Sequence, residues 1–262
     1  MHAIFCGMKK SLLYLIFLFA SYIPPNGAIA QDSQASNSGL SGDIGVAVFS
    51  QNAVIQGNSR STQVLPYAYF DYDRFFARID TFGFKTLPIG YGSLEIVGRY
   101  DAEGFTPKGT AYNQFNQRDL PVPIGLGTLQ ITPIGAFFVY AFEDISASKG
   151  KMVEFTYAAE LELPHAVKIY PLVGFDYKDR RYLNYFYGVS SLESHLSGIN
   201  SYSPTDGVSP FAALVLEVPV SDHWVVNTLF KQKWLSSTIT NSPLVSERRV
   251  ENMFISLSYR FE

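Results

Sequence analysis

Twelve charged residues share one arrangement. Glu95, Arg99, Asp101, Glu154, Glu160, Glu162, Lys168, Asp176, Lys178, Glu217, Lys231 and Lys233 occupy the polar positions of stretches in which the intervening residues are largely apolar. Mixed charges at alternate positions suit two kinds of chemistry. Facing one another across a narrow interior, they pair and tie a wall together; lining an open channel, they select ions. Hydrolysis needs something different, a histidine beside a carboxylate or serine on rigid support. Beyond the N-terminal segment the histidines are His165, His195 and His223, and only His195, in "SSLESHLSG", has such neighbours: Ser191, Glu193, Ser194 and Ser197. All lie in one short stretch between strands, where a solvated polar loop is the simpler reading. Three histidines in three separate segments have no metal-ligand spacing. The chain reads as a non-catalytic protein without cofactor or metal.

The elements that must position the charges have the period of a strand. From Val153 to Leu163 every second residue is apolar, with Glu154, Thr156, Glu160 and Glu162 between them, and after "PHAV" the alternation resumes through Asp179. That is a hairpin with one apolar and one charged face. Similar segments recur at Asp43 to Ser50, Thr62 to Tyr72, Arg74 to Asp80, Thr81 to Leu87, Gly90 to Asp101, Leu120 to Gly127 and Leu129 to Phe142. Others follow at Lys151 to Leu163, Val167 to Asp179, Val208 to Val218, Trp224 to Leu235 and Val250 to Phe261. None has helical periodicity. Twelve strands result, or ten if Arg74 to Leu87 is one kinked strand or Leu120 to Gly127 is misread.

Compartment decides what the apolar face meets. "MHAIFCGMKK" is a basic start, "SLLYLIFLFA" an apolar run, and Ala28-Ile29-Ala30 a small-x-small cleavage site, so residues 1–30 read as a secretory signal peptide. Residues 31–41 read as a flexible periplasmic leader, and 42–262 as a single domain. The one cysteine, Cys6, precedes the apolar run, so the processed chain has no disulfide and no thiolate metal site. Loss of Lys9 and Lys10 takes the net charge from −3 to −5, which argues against a nucleic-acid partner.

Connections alternate between short ("PHA", "PVSDH") and long ("RRYLNYFYGVSSLESHLSGINSYSPTDG"). Short turns at one end and long loops at the other, with an even strand number, are the habit of outer-membrane barrels. Trp224 and Trp234, ten residues apart on one face, stand about 25 Å apart along the membrane normal, the height of a lipid-facing band. With Tyr259 and Phe261 they form the expected aromatic girdle. The fold class is therefore all-β, a transmembrane antiparallel barrel of the outer membrane, with the charges in its lumen and lipid outside.

Two surface sites follow from that topology. Arg180 and Arg181 sit on a long outer loop, where they face lipopolysaccharide phosphates unless the aromatics behind them, Tyr182, Tyr185, Phe186 and Tyr187, fold over the mouth instead. His165 and Asp222 sit in short turns on the periplasmic side, within reach of a periplasmic protein.

The stretches "LPYAYFDYDRFFARI", "YFYGVSS", "SYSPTDG", "NSPLVSERR" and the closing "SLSYRF" resemble the MipA/OmpV family of outer-membrane proteins over nearly the whole processed chain. The resemblance implies a scaffold for murein-remodelling enzymes, one member being thought to bridge a lytic transglycosylase and a murein synthase. Other members are described as adhesins or porin-like proteins, and the family implies no catalytic residues. Scaffold, narrow porin and loop-mediated adhesin are the functions to be told apart.

Overall fold

The computed structural model describes residues 40–105 and 115–261. The residues read as signal peptide and leader lie outside the described residues up to residue 39. Twelve strands form one sheet. The first six are β1 (Leu40–Gln51), β2 (Ser61–Tyr72), β3 (Phe75–Arg78), β4 (Thr81–Ile89), β5 (Gly92–Arg99) and β6 (Pro123–Thr132). The others are β7 (Gly135–Asp144), β8 (Lys151–Ala158, resuming at Leu161–Glu162), β9 (Lys168–Lys178), β10 (Gly207–Pro219), β11 (Trp224–Trp234) and β12 (Arg249–Phe261). Each pairs antiparallel with its sequence neighbours, and β12 pairs with β1 from Gly42↔Phe261 to Gln51↔Asn252, closing a barrel. Closure gives strands two neighbours, the only way a sheet satisfies its backbone in hydrocarbon.

The break in β8 has a local cause. Both of its pieces keep the same register with β9, Ala158↔Leu172 and Leu161↔Ile169, so Ala159 faces Pro171. Pro171 has no N–H to donate, and one rung of the ladder is missing. Twelve strands, not thirteen, is the physical count.

Side chains alternate as a barrel requires. Ile44, Val46, Val48, Val173, Leu214, Phe230, Met253, Ile255 and Leu257 are exposed on the outside, while Asp43, Ala47, Asp176, Asn227, Phe254, Ser256 and Ser258 are buried within. Trp224 and Trp234 are exposed at opposite ends of β11, and the lower one contacts Tyr259, which in turn contacts Phe261, both edge-on.

Several sequence expectations need correction. The first strand starts at Leu40, so the last two residues assigned to the leader are wall. The turn expected near Thr128 lies instead at Pro133–Ile134, because "GLGT" is mid-strand. A Cβ on Gly127 would stand 1.9 Å from a ring carbon of Tyr140, so that glycine makes room for an aromatic ring inside the lumen rather than for a turn. Helices, which no periodicity announced, occur in the long connections: α1 (Arg180–Tyr187), α2 (Ser191–Ser197) and α3 (Ser237–Thr240). At four to eight residues they are too short for a period-3.6 pattern to emerge, and side-chain caps define the first two. The Asp179 carboxylate accepts from the Tyr182 N–H at 2.9 Å, and Ser190 and Glu193 form a reciprocal capping box.

Candidate functional site

The lumen charges form separate pairs stacked along the barrel. Arg78 donates to both carboxylate oxygens of Glu95 at 2.9 Å and to the Tyr140 hydroxyl at 2.7 Å, with Glu95 almost wholly buried. Arg99 grips Glu154 through two bonds of 3.1 and 3.2 Å while lying over the Phe142 ring. Lys233 pairs with Asp176, and Lys178 with Glu103. Near the periplasmic end Arg260 bonds both oxygens of Asp43 at 2.7 Å and one of Glu217 at 3.0 Å. Bidentate guanidinium–carboxylate contacts of this kind are strong in a low-dielectric interior.

Of the twelve charges expected on the inner face, the structure places Glu95, Arg99, Glu154, Asp176, Lys178, Glu217 and Lys233 in these ion pairs, and the five others elsewhere. Glu160 and Lys168 pair at 3.0 Å on the half-exposed periplasmic rim, with Glu162 exposed beside them, because β8 and β9 are ending there. Lys231 has a ring for a partner, its amine 3.8 Å from the centre of Phe211. Asp101 lies beyond β5 and accepts from the Tyr182 hydroxyl at 3.2 Å. Four partners were missed: Asp43, Arg78, Glu103 and Arg260. For Asp43, Arg78 and Arg260 strand parity was the available signal; Glu103 lies in a loop, where no period speaks.

Above the lumen the outer loops form a cap. Tyr182, Leu183 and Phe186 of α1 are fully buried against Val54, Ile55, Ile239, Leu244 and Val245 from the other loops. Glu103 is the polar centre, accepting from the hydroxyls of Tyr182 (2.7 Å) and Tyr187 and from Lys178. Burial opposes the Glu103 charge, yet Lys178 and Lys233, with the hydrogen bonds from Lys178 and Tyr187, together outweigh it and hold the carboxyl below its ordinary range. Burial, then the neighbouring Glu103, push Asp101 up. The aromatics behind Arg180 and Arg181 thus fold over the mouth, the second of the two arrangements weighed for this loop. The two arginines remain exposed at the start of α1.

His195 sits in the last turn of α2 rather than in an irregular loop. Glu193 is committed elsewhere, to Arg118 at 2.9 Å and to the Ser190 N–H and hydroxyl at 2.9 and 2.8 Å. No histidine–carboxylate arrangement for hydrolysis forms there. On the opposite rim His165 adopts φ 65° in the Pro164–Ala166 turn, and Asp222 lies in the turn between β10 and β11; both are exposed.

The chain was compared with known proteins. It is 25% identical over 222 residues to the putative outer membrane protein YiaT of Escherichia coli K12, covering 83% of this chain and 90% of that one. It is 30% identical over 91 residues to the MltA-interacting protein of the same organism, covering 35% and 37% of the two chains. The outer membrane protein Omp26La of Vibrio anguillarum is 25% identical over 186 residues, 65% of this chain and 67% of its own. Among solved structures, OprG of Pseudomonas aeruginosa aligns with 85% of this chain and 97% of its own, at 11% identity and a TM-score of 0.28. The family model of MltA-interacting protein MipA matches residues 44–261, from within β1 to the end of β12, and the chain belongs to that family as an outer-membrane β-barrel.

Proposed function

We propose that this barrel is a non-catalytic scaffold that holds a murein-remodelling enzyme, a lytic transglycosylase first and a murein synthase with it, against the inner face of the outer membrane. Membership of a family whose model is named for interaction with MltA carries the reading. The lumen supports it. Ion pairs inside the barrel at several levels, under a cap with a buried apolar core, favour a braced interior over a pore.

A periplasmic enzyme reaches only the short-turn end, where His165 and Asp222 are exposed. Each turn is too small for a standard interface, so several turns act together and contact is weak. On the other side Arg180 and Arg181 stay exposed with the aromatics folded in, so the two arrangements weighed for this loop are compatible and the guanidinium groups take lipopolysaccharide phosphates.

The test is photocrosslinking in intact cells from probes attached at His165→Cys and Asp222→Cys. Both are expected to give adducts with a lytic transglycosylase, and deleting Leu183 to Asp206 is expected to leave those adducts unchanged. Absence of periplasmic adducts, with loss of host-cell or surface binding on loop deletion, replaces the scaffold by an adhesin. Stable ion-selective conductance of the purified protein replaces it by a porin.

A further inference from the structure

One part of the wall is incomplete. β3 has four residues, and its pairing with β2 ends at Tyr69↔Arg78, with the Ile79 N–H donating to the Ala68 carbonyl at 2.8 Å. Above that turn β2 continues from Tyr67 to Ser61 with β1 on one side and, among the described residues, no strand on the other. Backbone groups alternate in direction along a strand. Because Ala68 points toward β3, so do Pro66, Val64 and Thr62, and among the described residues no strand meets the N–H and C=O of Thr62 and Val64 or the C=O of Pro66. β3 and β4 turn back at Arg78 and Thr81, and β5 ends in the same row at Arg99, so among the described residues no strand stands opposite this stretch of β2.

This edge lies at membrane depth. Val64 is level in register with Val48, Ile255 and Thr228, and Thr228 falls four residues above Trp224 and six below Trp234. Strand tilt raises such a row by ~3 Å per strand, placing Val64 in the outer half of the band. Val64 is 69% exposed.

The turn below it points the same way. Ile79 is β-branched at φ 60° and exposed, at a place where a hairpin in water takes Asn, Asp or Gly. An apolar residue tolerated there despite its backbone fits apolar surroundings.

We infer that this gap is a groove for a lipopolysaccharide molecule, whose acyl linkages hydrogen-bond the free edge of β2 while a hydrocarbon chain lies over Pro66 and Ile79. The edge is graded as an amphiphile is: Arg60, Ser61, Thr62 and Gln63 at the top, then Val64, and then Pro66, which lacks a donor. A peptide strand would want a donor at every rung, and Pro66 denies it one. A second copy does not fit, since a two-fold axis along the membrane normal brings two β2 edges together crossed at twice the strand tilt. Ester carbonyls of diacyl phospholipids only accept, whereas the three free carbonyls need donors, which the amide and hydroxyl groups of hydroxyacyl chains supply together with acceptors.

The test uses the intact protein in nanodiscs of phosphatidylcholine, with and without lipopolysaccharide, and residue-resolved amide exchange. Lipopolysaccharide is expected to slow exchange at Thr62 and Val64 at least ~10-fold and to leave Val48, paired on both sides, unchanged. Equal exchange at Thr62 and Val64 in both lipids overturns the inference. So does exchange at those two residues already as slow as at Val48 without lipopolysaccharide, since the chain or the phospholipid then closes the edge.

Discussion

The wall and the cap use the same aromatic-rich composition in opposite ways. On the wall, Phe155, Phe175 and Phe230 face outward and the interior carries ion pairs; in the cap, Tyr182, Leu183, Phe186 and Leu244 face inward and are fully buried. Among the described residues, the largest fully buried apolar side chains therefore belong to the outer loops. Lipid replaces the core for the strands, because hydrocarbon solvates an exposed phenylalanine as well as a protein interior does. Loops standing in water have no such solvent, and they fold only by making a core of their own.

Identical substitutions in the two regions sharpen that contrast. Phe186→Ala is expected to cost the cap ~3–5 kcal/mol through lost burial and a cavity, exposing residues 180–206 to protease while the barrel still assembles. Phe155→Ala is expected to cost about 1 kcal/mol, since lipid closes over the gap. Equal losses in lipid refolding titrations would mean that Phe155 is not lipid-facing. A smaller effect comes from charge. Ile255→Arg is expected to destabilise the folded barrel in vesicles by ~2–4 kcal/mol, and Ser256→Ala, one residue on and facing the lumen, by no more than about 1.

The smallest effect is acid loosening of the cap alone. Burial raises the Glu193 pKa, but the Ser190 hydrogen bonds and Arg118 more than offset this and hold it low. A depressed carboxyl contributes stability above its unfolded value and loses it as pH falls through the folded one. Amide protection in α2 should therefore decline from about pH 5 downward. Glu193→Gln is expected to flatten that dependence, with little change in wall amides.

Alternation made most of the wall legible, down to which residues of β8, β9 and β12 face out. It failed where glycine served packing rather than turning, as at Gly127 beneath the Tyr140 ring. It also failed where a proline removed a rung, as at Pro171 opposite Ala159 in a strand that otherwise kept its register. The cap was not legible as structure at all. Its helices are single turns or pairs of turns stabilised by contacts between loops far apart in sequence, such as Arg118 with Glu193 and Ser242 with the Tyr187 carbonyl.

By itself the sequence determined a two-faced sheet and an even barrel, because period 2 and the lengths of turns are local properties that every stable arrangement of this chain must respect. Tertiary structure alone decided which charges meet. Asp43 and Arg260 are 217 positions apart and become neighbours only when β12 closes on β1, and Arg78 meets Glu95 only because β3 turns back after four residues. Partner choice in a barrel depends on stagger around the whole circumference, a quantity that no single strand carries.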